Sequence, residues 1–196
     1  VTVDDAFVRS CARLDRVVDA LVWKTEGLSE RELRTPMTPT GFTLLGALRH
    51  CANVELGYLG DCFGRPWPGE PSPVSVPLDA YDTDPQADWW VPVEVPASVV
   101  VGFVRDVHAH VRPTLDLGPG TPGVVPWWPA ERSSTTLGLV LDHLLADLLR
   151  HAGQMDVVRE LVDGAVGLAR DDAWNVPDGV DWPAYVARLR GIAAQF

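Results

Sequence analysis

Residues 135–162 read TTLGLVLDHLLADLLRHAGQMDVVRELV. Leucines recur at helical spacing here, with Leu144, Leu145, Leu148 and Leu149 forming one apolar turn, and Asp163-Gly164 supplies a stop. The stretch predicts one long helix. Asp142, His143, Asp147 and Arg150 interrupt it, so even this segment falls short of the roughly 18 apolar residues that a membrane helix needs. A long amphipathic helix of this kind buries one face against other helices.

Three further helices of comparable length are expected. From Val3 to about Glu26, the set Phe7, Val8, Cys11, Leu14, Val17, Val18, Leu21 and Val22 steps by three and four, and Gly27 closes it. Ser29-Glu30-Arg31-Glu32 has capping-box spacing for one short turn, and Pro36 and Pro39 enforce an extended link. A second long helix is expected from about Thr43 to Phe63, with Gly64 as its stop. The third runs from about Ala97 to Leu115, started by Pro96 and ended by Gly118. A short terminal helix from about Pro183 to Ala194 has Asp181 as its cap. The fold expected is all-α: a four-helix bundle in one domain over 1–196, with a short C-terminal helix. Two connections rich in proline and tryptophan, 65–96 and 116–134, join the helices, and the first is long enough to cross the bundle.

The chain has 196 residues, 46% of them hydrophobic and 22% charged, which is the composition of an ordinary globule. Its net charge of −11 repels phosphate backbones and argues against nucleic-acid binding. Cys11, Cys51 and Cys62 lack paired spacing, so they form neither a disulfide framework nor a thiolate zinc site. Val1 to Ser10 carries Asp4 and Asp5 and lacks a signal-peptide layout, so the expected location is the cytoplasm. Apolar residues left over on the first and third helices leave room for a homodimer.

Chemistry concentrates in the histidines. His143, Asp147 and His151 recur at i, i+4 and i+8, which stacks them along one helix face, each within about 6 Å of the next. An aspartate and a histidine four apart can grip one metal ion if another helix supplies a third ligand, and mid-helix His50 is the obvious donor. Two histidines and a carboxylate leave a coordination position open, as in catalytic zinc sites and non-haem iron sites. The bland alternative is an exposed Asp147 paired with Arg150 or His151, and the spacing alone leaves it standing. His108 and His110 face different sides of the third helix and read as structural or solvent-facing. Arg49 and Arg150 are candidates to receive a carboxylate, although each neighbours a proposed ligand and so points about 100° away from it. Trp89-Trp90 and Trp127-Trp128 lie in the two long connections, either walling a pocket or capping the core ends.

Thr43 to His50, followed by Val54-Glu55, resembles the second helix of DinB-like metal-binding bundles. His151-Ala152-Gly153-Gln154-Met155-Asp156, continuing to Gly164, resembles the signature helix of their actinobacterial branch, which includes mycothiol-dependent maleylpyruvate isomerase. The resemblance spans the first helix through residue 164. It implies a metal held by His50, Asp147 and His151. Two departures stand out: Asp147 replaces the branch's usual glutamate, and Gln154 stands where a second histidine often follows.

The resemblance further implies a divalent metal, zinc first with nickel or iron as alternatives, and a small thiol such as mycothiol. The expected activity is a thiol-using S-transferase or isomerase acting on a small electrophile, with His143 as the catalytic candidate, either supporting a metal ligand or carrying a proton. Two other readings remain open: a metal-dependent hydrolase that needs no thiol, and a non-catalytic bundle that binds a small molecule.

Overall fold

A computed structural model describes residues 2–68, 72–170, 172 and 176–196. Its helices are α1 (Val3–Trp23), α2 (Glu30–Arg34), α3 (Leu44–Glu55), α4 (Ala97–Val111), α5 (Ala130–Ser133), α6 (Leu137–Asp163) and α7 (Trp182–Ala193). The four long helices expected from the sequence are α1, α3, α4 and α6. Each of α1 and α3 packs against both α4 and α6, so the four form a ring with a shared core. That core is built from Leu14 and Leu21 of α1, Leu44 and Leu48 of α3, Val100 and Val107 of α4, and Leu141, Leu144, Leu148 and Met155 of α6. Each lies on the inward stripe of its helix, where burying a Leu-sized side chain contributes about 2 kcal/mol.

Side-chain pairings fix the helix directions. Asp15 meets Arg112, whereas Glu26, further along the chain, meets Arg105, so α1 and α4 run antiparallel. His50 meets His151 and Tyr58 meets His143, so α3 and α6 are also antiparallel. Glu55 meets His108, and Gly60 packs beside Val111, so α3 and α4 run parallel. The chain must therefore travel back along the bundle between α3 and α4, and residues 65–96 make that crossover. Lys24 and Arg159 join the C-terminal ends of α1 and α6: Lys24 is buried beside Asp156, and Arg159 donates to the Trp23 and Lys24 carbonyls.

Local signals act where they stand. Thr2 caps α1 and Ser29 caps α2, each in a reciprocal capping box. Gly164 ends α6 at φ 78°, in the left-handed region that only glycine enters without strain. Asp181 accepts a hydrogen bond from the Ala184 amide and caps α7, all of whose residues are exposed.

Four boundaries differ from expectation, the first being α1, which ends at Trp23 and not near Glu26. The regular α-helix of α3 ends at Glu55, and the chain continues as a π turn over Leu56–Gly60 and a 3₁₀ turn over Asp61–Phe63. α4 ends at Val111 and gives way to a 3₁₀ turn over Arg112–Leu117, because Pro113 has no N–H to continue the ladder. The long final helix starts at Leu137, not Thr135. Ser134–Thr136 instead forms strand β2, antiparallel to β1 (Pro122–Val124), as suits two β-branched threonines. This ribbon and the short α5 organise the second connection, and with it Trp127 and Trp128.

Candidate metal centre

His50 projects from the middle of α3, and Asp147 and His151 from consecutive turns of α6. Antiparallel packing brings the three together. His151 Nε2 lies 3.4 Å from Asp147 Oδ1, and His50 Nε2 lies 3.8 Å from Asp147 Oδ2. One ligand atom from each residue falls within 4.8 Å of the others. Four-coordinate zinc with ligands at about 2.1 Å separates its ligand atoms by about 3.4 Å. The triad therefore has the donors such an ion requires, and two of its separations, 3.4 and 3.8 Å, lie near that spacing.

The other ring nitrogen of each histidine is also engaged. His50 Nδ1 lies 2.7 Å from Asp88 Oδ2, and His151 Nδ1 lies 2.7 Å from Gln154 Oε1. A carboxylate and an amide oxygen accept, so each histidine donates from Nδ1, while Nε2 faces Asp147 and is the atom left to ligate a metal. Outer partners of this kind set tautomer and ring orientation at metal sites. Asp88 is buried and takes a second hydrogen bond from the Tyr81 hydroxyl at 2.8 Å. The Trp89 ring stacks on His50 with centroids 4.1 Å apart and an interplanar angle of 20°. Hydrogen bonds from His151 and His50 hold the Asp147 carboxyl well below the usual carboxylate range. For Asp88, burial acts to raise the pKa, and the hydrogen bond and charge of His50, with the hydrogen bond from Tyr81, together outweigh it.

Arg49 explains how the crossover reaches the triad. Its buried guanidinium donates to the carbonyls of Val74, Ala87 and Trp90, which pins both sides of Asp88-Trp89 against α3. The expectation that Arg49 receives a substrate carboxylate is thereby corrected, since the side chain is buried and its Nε and Nη1 are spent on backbone. Arg150 is different: it is exposed and makes no ion pair or hydrogen bond among the described residues.

Two openings meet at Asp147. One is an aromatic cavity of about 540 Å³, with His50, Asp88 and Asp147 at one part of its wall and Tyr58, Trp67, Tyr81, Trp127 and His143 at others. The second, about 370 Å³, is lined by Thr40, Gln86, Arg150 and Gln154, together with Phe42, Trp89, Asp147 and His151. An ion held by the triad would face a polar mouth on one side and an aromatic chamber on the other.

A family model described as mycothiol-S-transferase matches residues 11–164. The chain belongs to the mycothiol-S-transferase family. No curated protein and no solved structure matches it. The family match covers α3, α4, α6, most of α1 and both openings, and it agrees with the DinB-like resemblance carried by the α3 and α6 motifs. No helix among the described residues is long and apolar enough to cross a membrane.

Of the residues singled out from the sequence, His50, Asp147 and His151 come together. His143 lies one turn away on the cavity wall, hydrogen-bonded to Tyr58 and to none of the triad. His108 pairs with Glu55 and Asp15 between helices, and His110 lies against the Arg65 and Pro66 carbonyls, so both belong to the scaffold. Sequence reasoning missed Asp88, Tyr58 and Tyr81. Asp88 adjoins the Trp89-Trp90 pair already marked as unusual, which is the one signal that points to it.

Proposed function

We propose that this chain is a metal-dependent S-transferase that joins a small thiol of the mycothiol type to a small electrophile. The observation that carries this reading is the position of the pre-oriented His50/Asp147/His151 set, at the meeting point of a polar mouth and an aromatic cavity. Zinc suits two imidazoles and one carboxylate with a position open, and nickel and iron share that preference. A bound divalent cation lowers the pKa of a thiol, making its sulfur nucleophilic at neutral pH.

The protein's own cysteines do not supply the sulfur. Burial raises the Cys51 thiol far above its ordinary value, and likewise raises Cys11. The Cys62 thiol is pushed up to about 12, by burial first and by Asp61 second. The nucleophile therefore comes from outside. A polar, hydroxyl-rich thiol suits the mouth lined by Thr40, Gln86, Arg150 and Gln154, whose donors and acceptors face that opening. The aromatic cavity suits the electrophile. In this reading Asp147 separates the two partners, and His143 carries protons between the cavity and solvent. Three unpaired cysteines fit a reducing cytoplasm, where such a thiol is held.

The test is thiol transfer itself. Metal-loaded protein, mycothiol and monobromobimane are incubated, and the S-conjugate is quantified by mass spectrometry. The reading expects conjugate formation well above the uncatalysed rate, its loss on chelation, and its loss in His50→Ala. A rate equal to the protein-free control would overturn it. Hydrolysis of an ester panel by the same protein without thiol would favour metal-dependent hydrolysis instead.

A further inference from the structure

The hydroxyl of Tyr58 sits in an unusual hydrogen-bond environment. Trp128 Nε1 lies 3.0 Å from it, Trp127 Nε1 3.2 Å, and His143 Nε2 3.0 Å. An indole nitrogen only donates, so the two tryptophans occupy both lone pairs of the phenol oxygen. The one phenolic proton then points to His143, which accepts it on Nε2. Should that proton leave, two N–H donors are already aimed at the oxygen that remains, which is how sites pre-arranged for developing negative charge are built.

The backbone has been adjusted to place this group. Tyr58 lies in the π turn Leu56–Gly60. In an unbroken α-helix the residue seven after His50 shares its face to within about 20°, whereas the eighth lies about 80° away. The wider π turn takes up one extra residue and brings Tyr58 round toward the face of His50. Gly57 leaves room for the indole, since a Cβ there would lie 3.3 Å from the Trp127 ring. Tyr58, Trp127 and His143 form a wall of the same cavity that His50 and Asp147 line. Tyr58 is buried, whereas His143 is exposed, so the pair links the cavity to solvent.

We propose that Tyr58 is a catalytic residue that donates its proton to an oxygen of the electrophile. The role in turnover rests on the transferase reading above, and it narrows the substrate class. The fitting electrophiles are those in which sulfur attack drives charge onto oxygen: epoxides and α,β-unsaturated carbonyl compounds. For an epoxide, the ring oxygen takes the place of His143 as acceptor of the Tyr58 proton; the C–S bond forms as the ring C–O bond breaks, and the released electron pair on oxygen takes that proton. The thiol proton passes to water, and Tyr58 recovers a proton from water through His143. The result is a net addition with no redox change.

Two measurements test this. In the first, 4-nitrophenolate, whose absorption shifts when its oxygen accepts a hydrogen bond, is titrated into metal-loaded wild type and Tyr58→Phe. The wild type shifts the spectrum, and Tyr58→Phe, with unchanged metal content and circular dichroism, does not. Equal shifts in both proteins, or none in the wild type, overturn the proposal whether or not the protein transfers thiols. The second compares an epoxide with monobromobimane, whose bromide leaves without a proton. Tyr58→Phe lowers epoxide turnover by about 100-fold, at least ten times more than it lowers bimane turnover, and Trp127→Phe gives an intermediate loss on the epoxide. Equal losses on both electrophiles assign Tyr58 a structural role and overturn the proposal. A wild type inactive on both overturns the transferase reading, and the nitrophenolate titration then decides the role of Tyr58.

Discussion

The carboxylate of Asp88 lies 2.7 Å from Nδ1 of His50, although the two residues belong to different elements and lie 38 positions apart. Asp88 makes no other ion pair among the described residues, although the Arg49 guanidinium lies near enough to feel its charge. Asp88→Asn keeps the shape but removes the charge that strengthens His50 as a donor to a metal. It is expected to weaken zinc binding by about 10- to 100-fold with little change in fold. Competition against a chromophoric chelator measures this, and an unchanged affinity would detach Asp88 from the site.

Arg49 holds the crossover by three carbonyls. Arg49→Met keeps the aliphatic stem and leaves those acceptors buried without donors. The expected cost is about 3 kcal/mol in chemical denaturation, together with weaker metal binding, because Asp88 and Trp89 lose their anchor. Loss of stability without any change in metal affinity would show that the crossover keeps its path without Arg49.

Gly46 faces the same segment, and a Cβ there would lie 2.0 Å from the Trp89 carbonyl oxygen. Two backbones cannot yield as a side chain can, so Gly46→Ala must push α3 and the 86–90 segment apart. A loss of about 3 kcal/mol is expected, with reduced metal content. Gly153→Ala meets nothing within 4 Å and serves as the neutral control.

The scaffold carries its own pH dependence. His108 Nδ1 lies 2.6 Å from the buried Glu55 carboxylate, and Nε2 lies 3.2 Å from Asp15, which also pairs with Arg112. Burial acts to lower the His108 pKa, and Glu55 and Asp15 together outweigh it, so the folded value is raised. Burial likewise raises Glu55. A raised folded pKa gives stability that is complete below the unfolded value, about 6.5 for histidine, and lost as pH rises through the folded value. Melting temperature is therefore expected to fall from pH 6 to pH 8, and the neutral isostere Glu55→Gln to flatten that fall. An identical slope in both proteins would place the dependence elsewhere.

The helices were legible because apolar residues such as Leu14, Leu21, Leu141, Leu148 and Met155 recur at helical spacing, and glycines such as Gly64 and Gly164 end them in left-handed turns. The His50/Asp147/His151 grouping was legible for a similar reason, since i, i+4 spacing on one helix and a mid-helix histidine on another need only antiparallel packing to meet. Asp88 was not legible, because the path of a proline-rich crossover depends on what pins it, and here the anchor is the Arg49 side chain of a different element. Tyr58 was hidden by the π turn: periodicity assumes a constant rise and rotation, and one accommodated residue changes which side chains share a face. Thr135 and Thr136 were read as the start of a helix because the strand they belong to pairs across a tight ribbon that no local pattern announces.

Metal content of the purified protein bears most directly on the whole account. Tag-free protein prepared without chelators, then equilibrated with zinc and desalted, is analysed by elemental mass spectrometry beside Asp147→Ala and His151→Ala. The account predicts about one divalent metal per wild-type chain and almost none in either variant, with all three proteins folded. A wild type that stays metal-free after zinc is added, or variants that retain the wild-type amount, would contradict it.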